Sequence, residues 1–274
     1  MAIHIYQIYY DQATKQALDP GFIPLDNSNT ERPDWYEFWP IRKFLKENQL
    51  QEDSWYGFLS PKFAGKTGFN SKTIKELITQ YDRVMDVALF SSTWDFIAYY
   101  KNCFEQGEVW HENITQVAQM FFNVVGYQVN CAELVNHTQN SVTSNYVIAK
   151  PPYWRRWMDL ADKLFAVSES NTPLGNILSG QTTYGPKLLP FKVFIQERLA
   201  PVLLANEKFK VLAPDQSQYR PLFSHLFHDN LRTRRTLQTL DLLKERFCVT
   251  GDRQYLDTYT KLKAEIPIKP TRFR

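Results

Sequence analysis

Two hydrophobic patterns alternate along the chain. Short runs rich in β-branched and aromatic residues, at 3–10, 55–59, 84–90 and 145–149, have the length and composition of strands. Between and after them, apolar residues recur every three or four positions, which predicts helices at 34–48, 71–81, 93–106, 114–125, 153–168, 191–205 and 230–247. The first of these carries Trp35, Phe38, Trp39, Ile41, Phe44 and Leu45 near one face, and Asp34 with Glu37 three residues on fits a capping box at its start. Residues 19–33, DPGFIPLDNSNTERP, read as turn chemistry throughout. Strands alternating with helices predict an α/β fold with a mostly parallel sheet. In such sheets ligands sit beyond the carboxyl ends of the strands. That directs attention to Tyr9, Tyr10 and Asp11, to Ser60 and Lys62, to Ser91 and Ser92, and to Lys150. Hydroxyls, cations and a carboxylate of this kind suit a phosphorylated polar ligand.

Composition narrows the class. A chain of 274 residues with 43% hydrophobic and 22% charged residues is globular rather than disordered. The net charge of +3 is too mild for a nucleic-acid binder, so no nucleic-acid partner is expected. Aromatic residues make up 15%, enough for a large core and for stacking surfaces besides. Three widely spaced cysteines fit a reducing compartment. The N-terminal residues MAIHIYQIYYDQ lack a basic region followed by an apolar core, and no apolar run approaches the ~20 residues of a membrane span. A cytoplasmic location is the expectation, and there the two glycosylation sequons at Asn113 and Asn136 carry no meaning.

Several common motifs are missing. The chain has no P-loop, no G-x-G-x-x-G, no zinc spacing among its cysteines and no G-x-S-x-G elbow. His225 and His228 are spaced for a metal pair, but one turn of a core-flanking loop accounts for them better. A D-x-D is absent too; Asp82 and Asp86 merely bracket Arg83.

Four segments, in order, carry a resemblance. They are IHIYQIYYDQ with GFIPLDN, NTERPDWYEFWPIRKFLKEN, WYGFLSPKF, and SNYVIAKPPYWRRWMDLADKLF with the downstream FKVFIQERLAPVLLA. Their succession resembles a bacterial family of GT-A-like glycosyltransferases of capsule and lipopolysaccharide gene clusters, including galactofuranosyltransferase-like proteins. The resemblance spans about residues 3–205. WYGFLSPKF stands where the family has Y-[IV]-G-L-x-H-Y-R-R-Y-F, so Ser60-Pro61-Lys62 replaces His-Tyr-Arg and Lys62 alone keeps a positive charge. Asn145 to Ala149 match an N-M-F-I-M strand, and Glu197-Arg198-Leu199 match E-R-L. The resemblance implies a GT-A-like (Rossmann-like) domain over 1–205, with 206–274 as a helical C-terminal extension packed on the same domain. It also implies a nucleotide-sugar donor (a UDP-sugar first), a glycan or lipid-linked acceptor and a divalent metal, Mn or Mg, although the loop that would hold the metal is not evident.

On that reading Tyr9 or Tyr10 would stack on the base, Asp11 would bind base or ribose, and Lys62 would neutralise the leaving diphosphate. Glu37 or His111 would be the base that takes the acceptor's proton. Asn145, Glu197 and Arg198 would contact sugar or phosphate. Each has a structural alternative: strand alternation for the tyrosines, a solvated loop for Lys62, a capping box for Glu37, a core-covering loop for Trp110-His111-Glu112, and a buried pair for Glu197 and Arg198. The basic stretch Arg232 to Arg235 and the C-terminal tail suit peripheral contact with an anionic membrane, or a solvated face. The rival from another class is a non-catalytic carbohydrate-binding or assembly protein on a degenerate transferase fold.

Overall fold

A computed structural model describes residues 1–29, 31–218, 220–223 and 226–269. The first half builds β1 (Ile3–Tyr9), α1 (Gln12–Gln16), β2 (Ile23–Asp26), α2 (Phe38–Glu47), β3 (Trp55–Leu59), α3 (Phe63–Thr67), α4 (Ser71–Tyr81), β4 (Val87–Leu89), α5 (Trp94–Tyr99), α6 (Cys103–Glu108) and α7 (Ile114–Val124). The second half adds β5 (Val147–Ala149), α8 (Pro151–Ser168), α9 (Pro173–Ser179), β6 (Gln181–Tyr184), β7 (Lys187–Pro190), α10 (Phe191–Asn206), β8 (Val211–Leu212), α11 (Leu231–Thr250) and α12 (Arg253–Ala264).

The fold is α/β. Its main sheet has the order β2-β1-β3-β5-β4-β8. β1 is parallel to β2 and β3, and β4 is parallel to β8, while β5 runs antiparallel to both β3 and β4. The other five strands therefore share one direction. Every residue of β3 is buried, as a strand covered on both faces requires. Gly57 is forced by its partner: a Cβ there would lie 2.6 Å from Ile148 Cγ1. On one face Trp154 of α8 donates its indole N–H to the Tyr56 carbonyl at 3.0 Å and meets Phe58 edge-on. α8 in turn packs on α2, α9 and α10. Each large apolar side chain buried here contributes roughly 1.5–3 kcal/mol.

The segment after residue 205 is not a purely helical addition. It first gives β8 to the sheet edge. Leu222, Leu226, Phe227, Leu237, Leu240, Tyr259 and Ile266 then close a second core over Trp94, Phe96, Tyr99 and Tyr100. His225 lies outside the described residues, so the 225/228 histidine pair has no structural account. Among the described residues no helix is long and apolar enough to cross a membrane.

Several expectations change. The region 93–106 is two helices, because Asn102 accepts hydrogen bonds from the Phe104 and Glu105 amides and caps α6. The turn-like stretch 19–33 contains β2, an edge strand that tolerates Pro24. Asp34 does not cap a helix. It lies in a 3-10 turn, Pro33–Trp35, and α2 begins only at Phe38, with no side-chain cap from Glu37. Ser144 and Asn145 have φ of 64° and 55°, a left-handed pair that no strand admits, so β5 starts later. Since β5 runs against its neighbours, Lys150 falls at the opposite edge of the sheet. There it donates to the Asp82 carbonyl at 2.7 Å.

Candidate functional site

The carboxyl edge of the parallel strands collects polar groups at the ends of β1 and β3 and the start of β5. Pro61 has no N–H to extend β3, so the chain leaves the sheet at Ser60. Ser60 is buried. Its hydroxyl shares a 2.7 Å hydrogen bond with the Tyr146 hydroxyl, and its carbonyl accepts from Gln7 Nε2 at 3.2 Å. This fixes the exit of β3 against the entry of β5. The Lys62 amide donates to Ser60 Oγ at 3.3 Å, and α3 begins at once. One turn further, Lys66 reaches Ser144 Oγ at 3.4 Å and lies 5.9 Å from the centre of the Tyr146 ring. Both lysines are exposed. Arg220 donates to the Lys66 carbonyl and packs beside the left-handed Gly68 at the end of α3, bringing a third cation to this side.

Glu37 enters the corner from the turn before α2. Tyr36, with φ of 48°, re-aims the chain immediately ahead of it. Residues held in this region cost of order 1–3 kcal/mol and concentrate at functional sites. The Tyr10 hydroxyl donates to Glu37 Oε1 at 2.6 Å. Burial pushes the Glu37 carboxyl above the ordinary range, and Glu197 raises it further, against the Tyr10 hydrogen bond and the charges of Lys66 and Lys62. Glu197, on α10, is also raised by burial, opposed by Arg198 and Lys66. Two desolvated carboxyls thus share one electrostatic neighbourhood, in which Lys66 acts on both. The Tyr10 and Tyr146 phenols are both shifted upward, chiefly by burial, so both stay protonated donors. Beside Glu197, Asn145 Nδ2 donates to Gln196 Oε1 at 3.1 Å. Asn145 Oδ1 and Gln196 Nε2 are buried without partners, an acceptor and a donor left for something else.

The sequence candidates divide cleanly. Tyr10, Glu37, Lys62, Asn145 and Glu197 come together in this corner. The others serve the fold. Tyr9 is buried and its phenol is hydrogen-bonded to Asp26. Asp11 caps α1, accepting from the Thr14 amide and hydroxyl, each at 2.7 Å. Arg198 is buried, with Nε on the Cys103 carbonyl at 3.0 Å, Nη1 on the Phe194 carbonyl at 2.8 Å and Nη2 on Gln106 at 3.2 Å, which ties α6 to α10. His111 is packed rather than presented. Its ring stacks on Phe194 at 3.5 Å, and Nδ1 meets the Thr183 carbonyl at 2.8 Å. Burial, aided by Arg198, lowers its pKa to about 4, so it is neutral at pH 7.

Lys66, Tyr146 and Gln196 are additions that pattern reading missed. Lys66 had a signal: it lies four residues after Lys62, one helical turn away. Among the described residues no group of three or more His, Cys, Asp or Glu converges as a metal site. No protein-family model, curated protein or solved structure matches the chain.

Proposed function

We propose that this corner is the active site of a transferase that moves a sugar from a nucleotide-sugar donor to a glycan hydroxyl, on a GT-A-like variant of the α/β fold. The observation that carries the reading is Glu37: a desolvated carboxyl, held by Tyr10 instead of capping its helix, beside two exposed lysines at the carboxyl edge of the sheet. Lys62 and Lys66 receive the donor diphosphate. The half-exposed Tyr10 ring offers the base a stacking face. The acceptor oxygen attacks the anomeric carbon as the carbon–oxygen bond to the diphosphate breaks. The acceptor proton passes to Glu37, and the diphosphate leaves with the bonding pair, its charge screened by the lysines. The raised pKa suits the proton transfer, because a base works best when its pKa approaches the working pH. Glu197 is the carboxylate that would hold a divalent ion here, leaving Glu37 for the proton, and such an ion would add to the screening of the diphosphate. The exposed Arg232 and Arg235 would favour an anionic membrane surface carrying a lipid-linked acceptor.

The test is a thermal-shift panel of UDP, GDP, CMP and dTDP, each with manganese and with chelator. One nucleotide class should stabilise the protein, by about 2.7 kcal/mol at a hundredfold excess over Kd. The shift should shrink in a Lys62→Ala/Lys66→Ala variant. No shift with any nucleotide would overturn the proposal and favour a binding protein without a nucleotide site.

A further inference from the structure

A second recess lies at the same edge of the sheet but beyond β4 and β8. It has a volume of about 280 Å³ and is lined by Trp94, Asp215, Gln216, Gln238, Asp241 and Glu245, among others. That is roughly nine waters' worth of space, enough for a small molecule. Trp94 opens α5, five residues after Leu89, the last β4 residue paired with β5, and 215–217 follow the end of β8.

Two independent features mark the recess. First, three carboxylates line it and the ring of lining residues contains no Lys or Arg. Asp215 accepts the Ser217 amide at 2.8 Å. Asp241 holds the Thr138 amide at 3.0 Å and the Thr138 hydroxyl at 2.5 Å. Glu245 has no hydrogen bond or ion pair among the described residues. Lys244, behind Asp241, directs its ammonium to the Ile97 and Tyr100 carbonyls. Buried His137, next to Asp241, is neutral at pH 7 because burial lowers its pKa to about 4. Second, two of the lining side chains are more than nine-tenths buried and keep an unpartnered polar atom: Trp94 Nε1, a donor, and Gln216 Oε1, an acceptor. Buried polar atoms of this kind are normally satisfied.

The acids do not converge as a metal cluster among the described residues. They share a field without sharing a point, which suits a delocalised or extended cation. We infer that this recess binds a small organic cation, an ammonium or guanidinium compound that also carries a hydrogen-bond acceptor for Trp94. The site is separate from the Glu37 corner and does not depend on the transferase reading.

Calorimetry on the full chain at low salt tests it, with putrescine, glucosamine and arginine methyl ester as probes and glucose and acetate as controls. At least one amine should bind while the controls do not. The Asp215→Asn/Glu245→Gln variant, which changes two surface-accessible carboxylates, should weaken binding about fivefold. Trp94→Phe, which keeps a ring but removes Nε1, should weaken it about threefold. Absence of amine binding would overturn the inference, and so would amine binding unchanged in both variants. Manganese binding that the double variant abolishes, with no amine binding, would replace the organic cation with a metal and overturn it as well.

Discussion

Asp34 and Glu37 lie three residues apart in one short turn, yet their surroundings drive them in opposite directions. Asp34 meets Arg32 at 2.8 Å and the buried Lys192 at 2.5 Å. Although burial opposes it, these cations hold its pKa down to about 2. Glu169 joins the same network through Arg32 at 2.7 Å, and Lys192 sits 4.4 Å from the Trp35 ring centre. Every charge there has a partner. Glu37 has one phenol donor, two lysines that stay exposed and a second carboxylate nearby, and its pKa rises. A saturated ion network locks a turn in place. An under-compensated carboxyl beside open cations is ready to exchange a proton or take a ligand.

The comparison can be broken most severely at Glu37. Glu37→Gln should lower transfer by about 10²–10⁴-fold while leaving the protein folded, read by product formation and circular dichroism. An equally active variant would remove Glu37 from the chemistry. At the other pole, Asp34→Asn should leave Lys192 buried with a weakened partner set and cost about 3 kcal/mol in denaturant unfolding. The pH signs differ as well. Asp34 contributes stability that is present above its unfolded pKa of about 3.9 and is lost as pH falls toward about 2. Glu37, with a raised folded pKa, does the reverse: stability declines as pH rises above its unfolded value of about 4.3. Glu37→Gln should abolish that decline.

Smaller changes sharpen the account. Tyr10→Phe removes the hydrogen bond that favours the charged carboxylate, worth about 1 kcal/mol. Activity should then rise with pH later than in the wild type. Glu197→Gln removes the like charge, so the same limb of the pH–rate profile should move to lower pH. Shifts of equal sign in the two variants would show that the electrostatics of the corner are misread.

How much of this was legible in the chain follows from the range of each signal. Local patterns placed β3 at 55–59 and α4 at 71–81 where the structure has them, because periodicity and strand composition are local. Ser60 and Lys62 were visible as a strand exit. The direction of β5 was not, because strand polarity depends on partners far away in sequence; reading it as parallel put Lys150 at the wrong edge. Asp34 and Glu37 matched a capping box in spacing, but tertiary partners outcompeted the local cap: Lys192 lies 158 residues from Asp34, and Tyr10 lies 27 from Glu37. His111 looked chemically able in sequence, and only burial against Phe194 showed its packing role. Arg198 likewise became structural once its three acceptors were in place.

The most direct measurement is a carbon-13 NMR titration of the glutamate carboxyls, with and without UDP, in wild type and in Glu37→Gln. The account predicts one resonance, absent from the variant, that titrates above about 4.3 and shifts when the nucleotide binds. A Glu37 resonance titrating at the ordinary value and indifferent to UDP would contradict it.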